Sequence, residues 1–335
     1  MKKIGILLFS LSGVAVFNSS SYGQNTNYTE QFNSGYRGGF INGLRTPNNA
    51  IHFIVVGDWG RQGEYNQSEV AAQMANASVS LNADFIISTG DNFYPDGVKS
   101  VWDTKWKTSF EDIYKHFSLQ KKWYVVLGNH DYRSNPQAQI EYSNISSRWQ
   151  MPSRYYTKKF KINDDSTQQV QIIFLDTSPF IKSYYSNEEY TENVNVQDSA
   201  TQIRWLDSLL SYKSTTIKWK IVVGHHPLYS GGKRINSKDT KDLNFLLKPL
   251  FDKYNVDVYL NGHEHHLEHV KPQGVTHYFT SGAGSEVRPV KIFPKDGKFA
   301  AQKAGFMTFS ITSDSLIMYT IDKMGKIIYN TTIKK

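Results

Sequence analysis

Residues 83–94, ADFIISTGDNFY, pass from an apolar run straight into a glycine and then Asp91 and Tyr94. An unbroken apolar run this short fits a strand buried on both faces, and the glycine lets the chain turn sharply where the strand ends. The arrangement recurs in HFIVVGDWG (52–60), KWYVVLGNHDY (122–132), VQIIFLDTS (170–178), KWKIVVGHHPLYS (218–230) and VDVYLNGHEHH (256–266). Helix-like stretches lie between several of these runs, at 68–82, 104–117, 200–213 and 241–255. Such alternation predicts an α/β core whose functional groups gather where strands give way to loops. After about residue 275, THYFTSGAG (276–284), GFMTFSITSDSLIMYTID (305–322) and GKIIYNTTIKK (325–335) read as hairpins closing a largely β portion.

The chain has 335 residues, 39% hydrophobic and 20% charged, which suits one large or two small soluble domains. Cysteine is absent, so no disulfide supports the fold and no thiolate serves as nucleophile or metal ligand. Residues 1–23 carry Lys2 and Lys3, an apolar run from Ile4 to about Phe17 and a small-residue stretch, the layout of a signal peptide. The expected mature chain, 24–335, is exported to periplasm or medium without a membrane anchor, and opens on an irregular lead-in to about residue 50. The net charge of +8 includes those two lysines; without them 36 basic residues face 30 acidic ones. That modest excess suits an anionic substrate. The basic residues are scattered without interleaved aromatics, which argues against nucleic acid as the partner.

In chain order, the polar residues at the strand ends are Asp58, Asp91 with Tyr94, Asn129, His225, and His263 with His265. These oxygen and nitrogen donors suit borderline or hard transition metals. Any one of them alone reads equally well as a turn residue; together they point to a shared site. The series GDWG, GDNFY, GNHD, VVGHHP and GHEH resembles the ordered motif set of the metallophosphoesterases, and Tyr94 makes it similar to the purple acid phosphatases, of the small tartrate-resistant type.

The resemblance implies a single catalytic domain, built as a two-sheet β sandwich flanked by helices in four α/β/β/α layers. It implies a dinuclear centre of Fe(III) with Fe(II), Zn(II) or Mn(II). Asp58, Asp91, Tyr94 and His265 would hold one metal; Asp91, Asn129, His225 and His263 would hold the other, with Asp91 shared. Neutral Asn129 keeps the centre positive enough to attract a phosphate ester. The implied activity is an acid phosphatase in which a metal-bound hydroxide attacks a phosphate monoester. Small monoesters are the expected substrates, nucleotides and phosphoproteins among them.

His130 is the expected phosphate contact and general acid, with plain support of the site as its alternative. His226 either lines the pocket or packs. Arg234 stands nine residues after His225, where mammalian relatives carry a further histidine; an arginine there can bind phosphate but not donate a proton. His266 and His269 read as rim or packing residues, and Asp131 as an orienting one. Segment 178–199, rich in acidic and aromatic residues, falls where relatives carry a loop over the site, as a gate or a surface loop. Two other functions fit the same motifs: a phosphodiesterase or nucleotidase with this centre, and a non-catalytic exported iron-binding protein.

Overall fold

The computed structural model describes residues 39–293 and 295–335, so the expected signal segment lies outside the described residues. Within them the strands are β1 Ile51–Val56, β2 Phe85–Ser88, β3 Lys122–Val125, β4 Trp149–Gln150, β5 Tyr156–Ile162, β6 Asp165–Phe174 and β7 Ile217–Val223. They continue as β8 Val258–Asn261, β9 Leu267–Val270, β10 His277–Ser281, β11 Gly297–Ala301, β12 Gly305–Ile311, β13 Ser315–Asp322 and β14 Ile327–Lys334. The helices are α1 Gln67–Leu81, α2 Pro136–Glu141, α3 Thr191–Asn195, α4 Ser199–Ser211 and α5 Lys238–Tyr254.

Two seven-stranded sheets result, in the orders β14-β13-β12-β1-β2-β3-β4 and β11-β9-β10-β8-β7-β6-β5. In the first, β1 to β4 are parallel while β12 to β14 form an antiparallel meander beside β1. The second runs parallel from β6 through β7 and β8 to β10. The apolar runs are buried along their whole length in β2 and β8, as strands covered on both faces must be.

Aromatic rings join the sheets: Phe279 of β10 meets Phe309 of β12 at 5.6 Å, and Phe309 stacks on Phe53 of β1 at 5.2 Å. Leu206 and Leu210 of α4, with Leu243, Leu247 and Phe251 of α5, cover Ile173, Val222 and Tyr259 on the outer face of the second sheet. Val70, Met74 and Ala77 of α1 join the core that holds β1 and β12. The layers are therefore those of the expected sandwich flanked by helices.

Two expectations change. The stretch 104–117 is helical only over 104–111 and widens to a π-helix at Trp106–Glu111, closed by Asp112 N–H on the carbonyl of Lys107. Its aromatic residues pack into the cluster of Trp59, Trp123 and Trp149, and that packing overrides the helical pattern. In the C-terminal portion, β12 to β14 form hairpins as expected, and THYFTSGAG forms one with β9. What differs is that the same strand, β10, also pairs parallel with β8 and so lies inside the second sheet.

Candidate metal centre

Every candidate donor follows the C-terminal end of a parallel strand: Asp58 after β1, Asp91 and Tyr94 after β2, Asn129 after β3, His225 after β7, and His263 and His265 after β8. The two sheets thus contribute from both sides of the sandwich. Asp58, Asp91 and His263 all lie in the left-handed region, at φ 59°, 51° and 69°. Such conformations cost about 1–3 kcal/mol each for residues with a side chain and persist where their surroundings enforce them. Close backbone approach is part of that enforcement. A Cβ on Gly128 would sit 2.2 Å from the amide nitrogen and Oδ1 of Asp91, and one on Gly262 would sit 2.4 Å from Oδ2 of Asp58.

On one side of the cluster Tyr94 Oη lies 3.1 Å from Asp58 Oδ1, 2.9 Å from Asp91 Oδ2 and 3.1 Å from His265 Nε2. The single phenolic proton can satisfy only one of the two carboxylates at a time. The far nitrogen of His265, Nδ1, faces Glu286 at 3.4 Å, and the backbone N–H of His263 donates to Asp58. On the other side His225 Nε2 lies 3.3 Å from Asn129 Oδ1, 3.4 Å from Asp91 Oδ1 and 3.1 Å from His263 Nδ1. Its Nδ1 donates to the Thr89 carbonyl, which turns Nε2 toward the cluster. Among the described residues, donor atoms of Asp58, Asp91 and His225 lie within 4.8 Å of one another, as do those of His225, His226 and His263.

So many acceptors in contact need positive charge between them. With protein groups alone that charge comes from protons. Burial pushes the Asp58 carboxyl up to about 8, and Asp91 outweighs burial to raise His225 to about 9. Burial also acts on Asp91, but His225 and His130 hold it well below the carboxylate range. Burial and then the two carboxylates push the Tyr94 phenol far up, so a phenolate there requires a cation at its oxygen. The donor set thus fits multivalent metal ions in place of the protons.

A family model, the calcineurin-like phosphoesterases, matches residues 51–267. Purple acid phosphatase 17 of Arabidopsis thaliana is 39% identical over 298 residues, 85% of each chain. The chain belongs to the purple acid phosphatases. Tartrate-resistant acid phosphatase type 5 of Homo sapiens is 33% identical across 85% of this chain and 91% of its own. Among solved structures, GAP50, described as the anchor in the inner membrane complex of Plasmodium, matches with TM-score 0.73 and 25% identity, over 86% of this chain and 89% of its own. A purple acid phosphatase from yellow lupin seeds shares the fold at TM-score 0.59 and 14% identity, over 87% of this chain and 54% of its own. The family implies a dinuclear metal centre, and the donor set described above fits one.

In this purple acid phosphatase chain a cavity of about 440 Å³ opens on the cluster, lined by Asp91, Asn129, His263 and His265 together with His130, His226 and Arg234. His130 is fixed by a hydrogen bond from Nδ1 to the Pro95 carbonyl, which leaves Nε2 on the Asp91 side at 3.9 Å. Both nitrogens of His226 are engaged, with Thr177 Oγ1 at 2.8 Å and Tyr184 Oη at 2.9 Å, so it lines the cavity as a buried, hydrogen-bonded ring. Arg234 lies 3.6 Å from the buried Glu264, whose Oε1 accepts the Arg234 backbone N–H. His266 bonds to Glu268, and His269 stacks on Phe279, so both are packing residues.

Several lining residues escaped the sequence reading. Arg133 and Arg288 face the cavity, and Tyr184 and Tyr190 come from segment 178–199, which forms a wall with both rings buried. Arg133 falls four residues after Asn129 and Arg288 lies just past the TSGAG turn, the only sequence signals that could have flagged them. Asp131, expected to orient a neighbour, accepts N–H groups from both donor loops, those of Asn92 and Gly128.

Proposed function

We propose that this chain is an exported acid phosphatase, its catalytic domain spanning 24–335, which hydrolyses phosphate monoesters at a dinuclear Fe(III)–M(II) centre, M being Fe(II), Zn(II) or Mn(II). Asp58, Asp91, Tyr94 and His265 would hold the ferric ion. Asp91, Asn129, His225 and His263 would hold the divalent one. The observation that carries this reading is the convergence of buried acceptors from both sheets on one cavity, with positive charge required between them. When bound, the two metals acidify water to supply the nucleophile and offset charge on the transferring phosphoryl group.

The remaining work falls to side chains of this chain. Arg133, Arg234 and Arg288 draw the anionic ester into the cavity and hold its phosphate oxygens. Arg234 serves as a permanent cation and leaves proton transfer to His130. With Nδ1 held by Pro95, His130 presents Nε2 to the leaving oxygen and delivers its proton there. No helix among the described residues is long and apolar enough to cross a membrane.

The test is the ratio of initial rates on an aryl phosphate monoester, an aryl diester and a nucleoside monophosphate, with metals counted on the same sample. A dominant monoester rate that falls at least a hundredfold in Asn129→Ala supports the proposal. A dominant diester rate replaces it with a diesterase. Equal monoester rates in wild type and Asn129→Ala remove the catalytic role of the centre.

A further inference from the structure

Asn129 is the one amide among the donors of the cluster, and only the oxygen end of an amide is useful to a metal. The other end is tied down. Asn129 Nδ2 donates to Tyr190 Oη at 3.2 Å, which leaves Oδ1 facing His225 Nε2 at 3.3 Å. The same hydroxyl accepts from Arg133 Nε at 3.1 Å and Nη2 at 2.7 Å.

We infer that Tyr190 is a positioning residue that sets the Asn129 amide and the Arg133 guanidinium together, through one phenolic oxygen. The inference rests on the reading of Asn129 as a metal donor. The segment that delivers Tyr190 is itself well anchored. The Tyr190 ring stacks on Tyr184 at 4.2 Å and is only 5% exposed. Asn193, one turn on, donates Nδ2 to the carbonyls of Tyr132 at 2.7 Å and Ser134 at 2.9 Å, so the wall is fastened to the loop that carries Asn129, His130 and Arg133. Arg133 has acidic neighbours in Glu189 at 3.0 Å and Asp96 at 3.7 Å, both exposed, and Tyr190 is its buried anchor.

Removing the hydroxyl while keeping the ring leaves a buried amide N–H without its partner and leaves Arg133 held by its exposed acidic neighbours and His130. Partners that orient metal ligands typically change metal affinity by about 10- to 100-fold when lost. The experiment strips the full-length protein with a chelator and titrates it with Zn(II), for wild type, Tyr190→Phe, Asn129→Asp and the double variant. KM and kcat on an aryl phosphate are measured on the reloaded proteins, and melting temperatures on the stripped ones.

We expect Tyr190→Phe to weaken the looser of two zinc sites about tenfold or more, to raise KM through Arg133, and to leave the melting temperature of the stripped protein close to wild type. In Asn129→Asp, which has no amide N–H to place, the same change should lose its effect on zinc while keeping its effect on KM. Unchanged zinc affinity in Tyr190→Phe overturns the inference while the reading of the centre stands. An equal loss of zinc in both backgrounds also overturns it, since Tyr190 would then act through something other than the Asn129 amide. A wild type that binds fewer than two zinc ions overturns the reading of the centre, and the inference with it.

Discussion

Asp131→Asn is a near-isosteric change that tests whether the two donor loops are held by a buried charge. The carboxylate is fully buried and accepts from Gly128 N at 2.8 Å, Asn92 N at 3.1 Å and Gln139 Nε2 at 2.8 Å. Asn92 Nδ2 at 3.2 Å and Phe93 N at 3.3 Å complete the set. Burial pushes the Asp131 carboxyl up to about 7, yet every polar neighbour offers it an N–H and none an acceptor, so the pocket is built for the charged form. An asparagine keeps one acceptor oxygen and turns an NH₂ toward at least two of those donors. Each such loss costs about 1–3 kcal/mol at a buried site, so the change should destabilise by about 3–5 kcal/mol. For a chain of this size that lowers the melting temperature by roughly 6–15 °C. The loops at stake carry Asp91 and Asn129, so metal retention should fall as well. Circular dichroism melts and metal analysis on one preparation measure both effects. A melting temperature within about 2 °C of wild type, with metals retained, would refute the reasoning and mean that Asp131 sits there as a neutral acid.

Other outcomes follow from the same structure. Burial, aided by Lys298 and Lys271, lowers His269 to about 3 and His277 to about 4, below the unfolded value near 6.5. The unfolded chain therefore binds more protons over that range, and stability is complete above about pH 6.5 and declines as pH falls toward 4. Urea midpoints should show about 2 kcal/mol lost per histidine between pH 7 and about pH 5, with a shallower decline in His277→Gln; a flat profile contradicts the burial. Gly128→Ala places a methyl 2.2 Å from Asp91 and should cost about 1–3 kcal/mol and reduce metal content, measurable by urea denaturation and elemental analysis. Arg234→Ala should raise KM for a monoester more than it lowers kcat, whereas His130→Ala should mainly lower kcat.

The donor set was legible because each of its members directly follows a short buried strand, and a strand that ends in a glycine and a polar group announces itself locally. The support around it was not. Tyr190 reaches Asn129 across 61 positions in sequence and Glu286 reaches His265 only through the fold, so nothing near either residue signals its role. The helical pattern of 104–117 misled because the Trp106, Phe110 and Tyr114 rings that look like a helix face are claimed by the tryptophan cluster. The placement of β10 between β8 and β9 was likewise invisible, because a short apolar strand does not state whether its neighbour runs parallel or antiparallel.

The visible absorption spectrum of the purified protein, taken with metal content on the same sample, tests the proposed centre most directly when wild type is compared with Tyr94→Phe. Tyr94 Oη lies among Asp58, Asp91 and His265, so a ferric ion there must bind the phenolate. The account predicts two metals per chain, one of them iron, and a broad visible band that disappears in Tyr94→Phe. A colourless wild type carrying only zinc or manganese, or a band that survives the substitution, would contradict it.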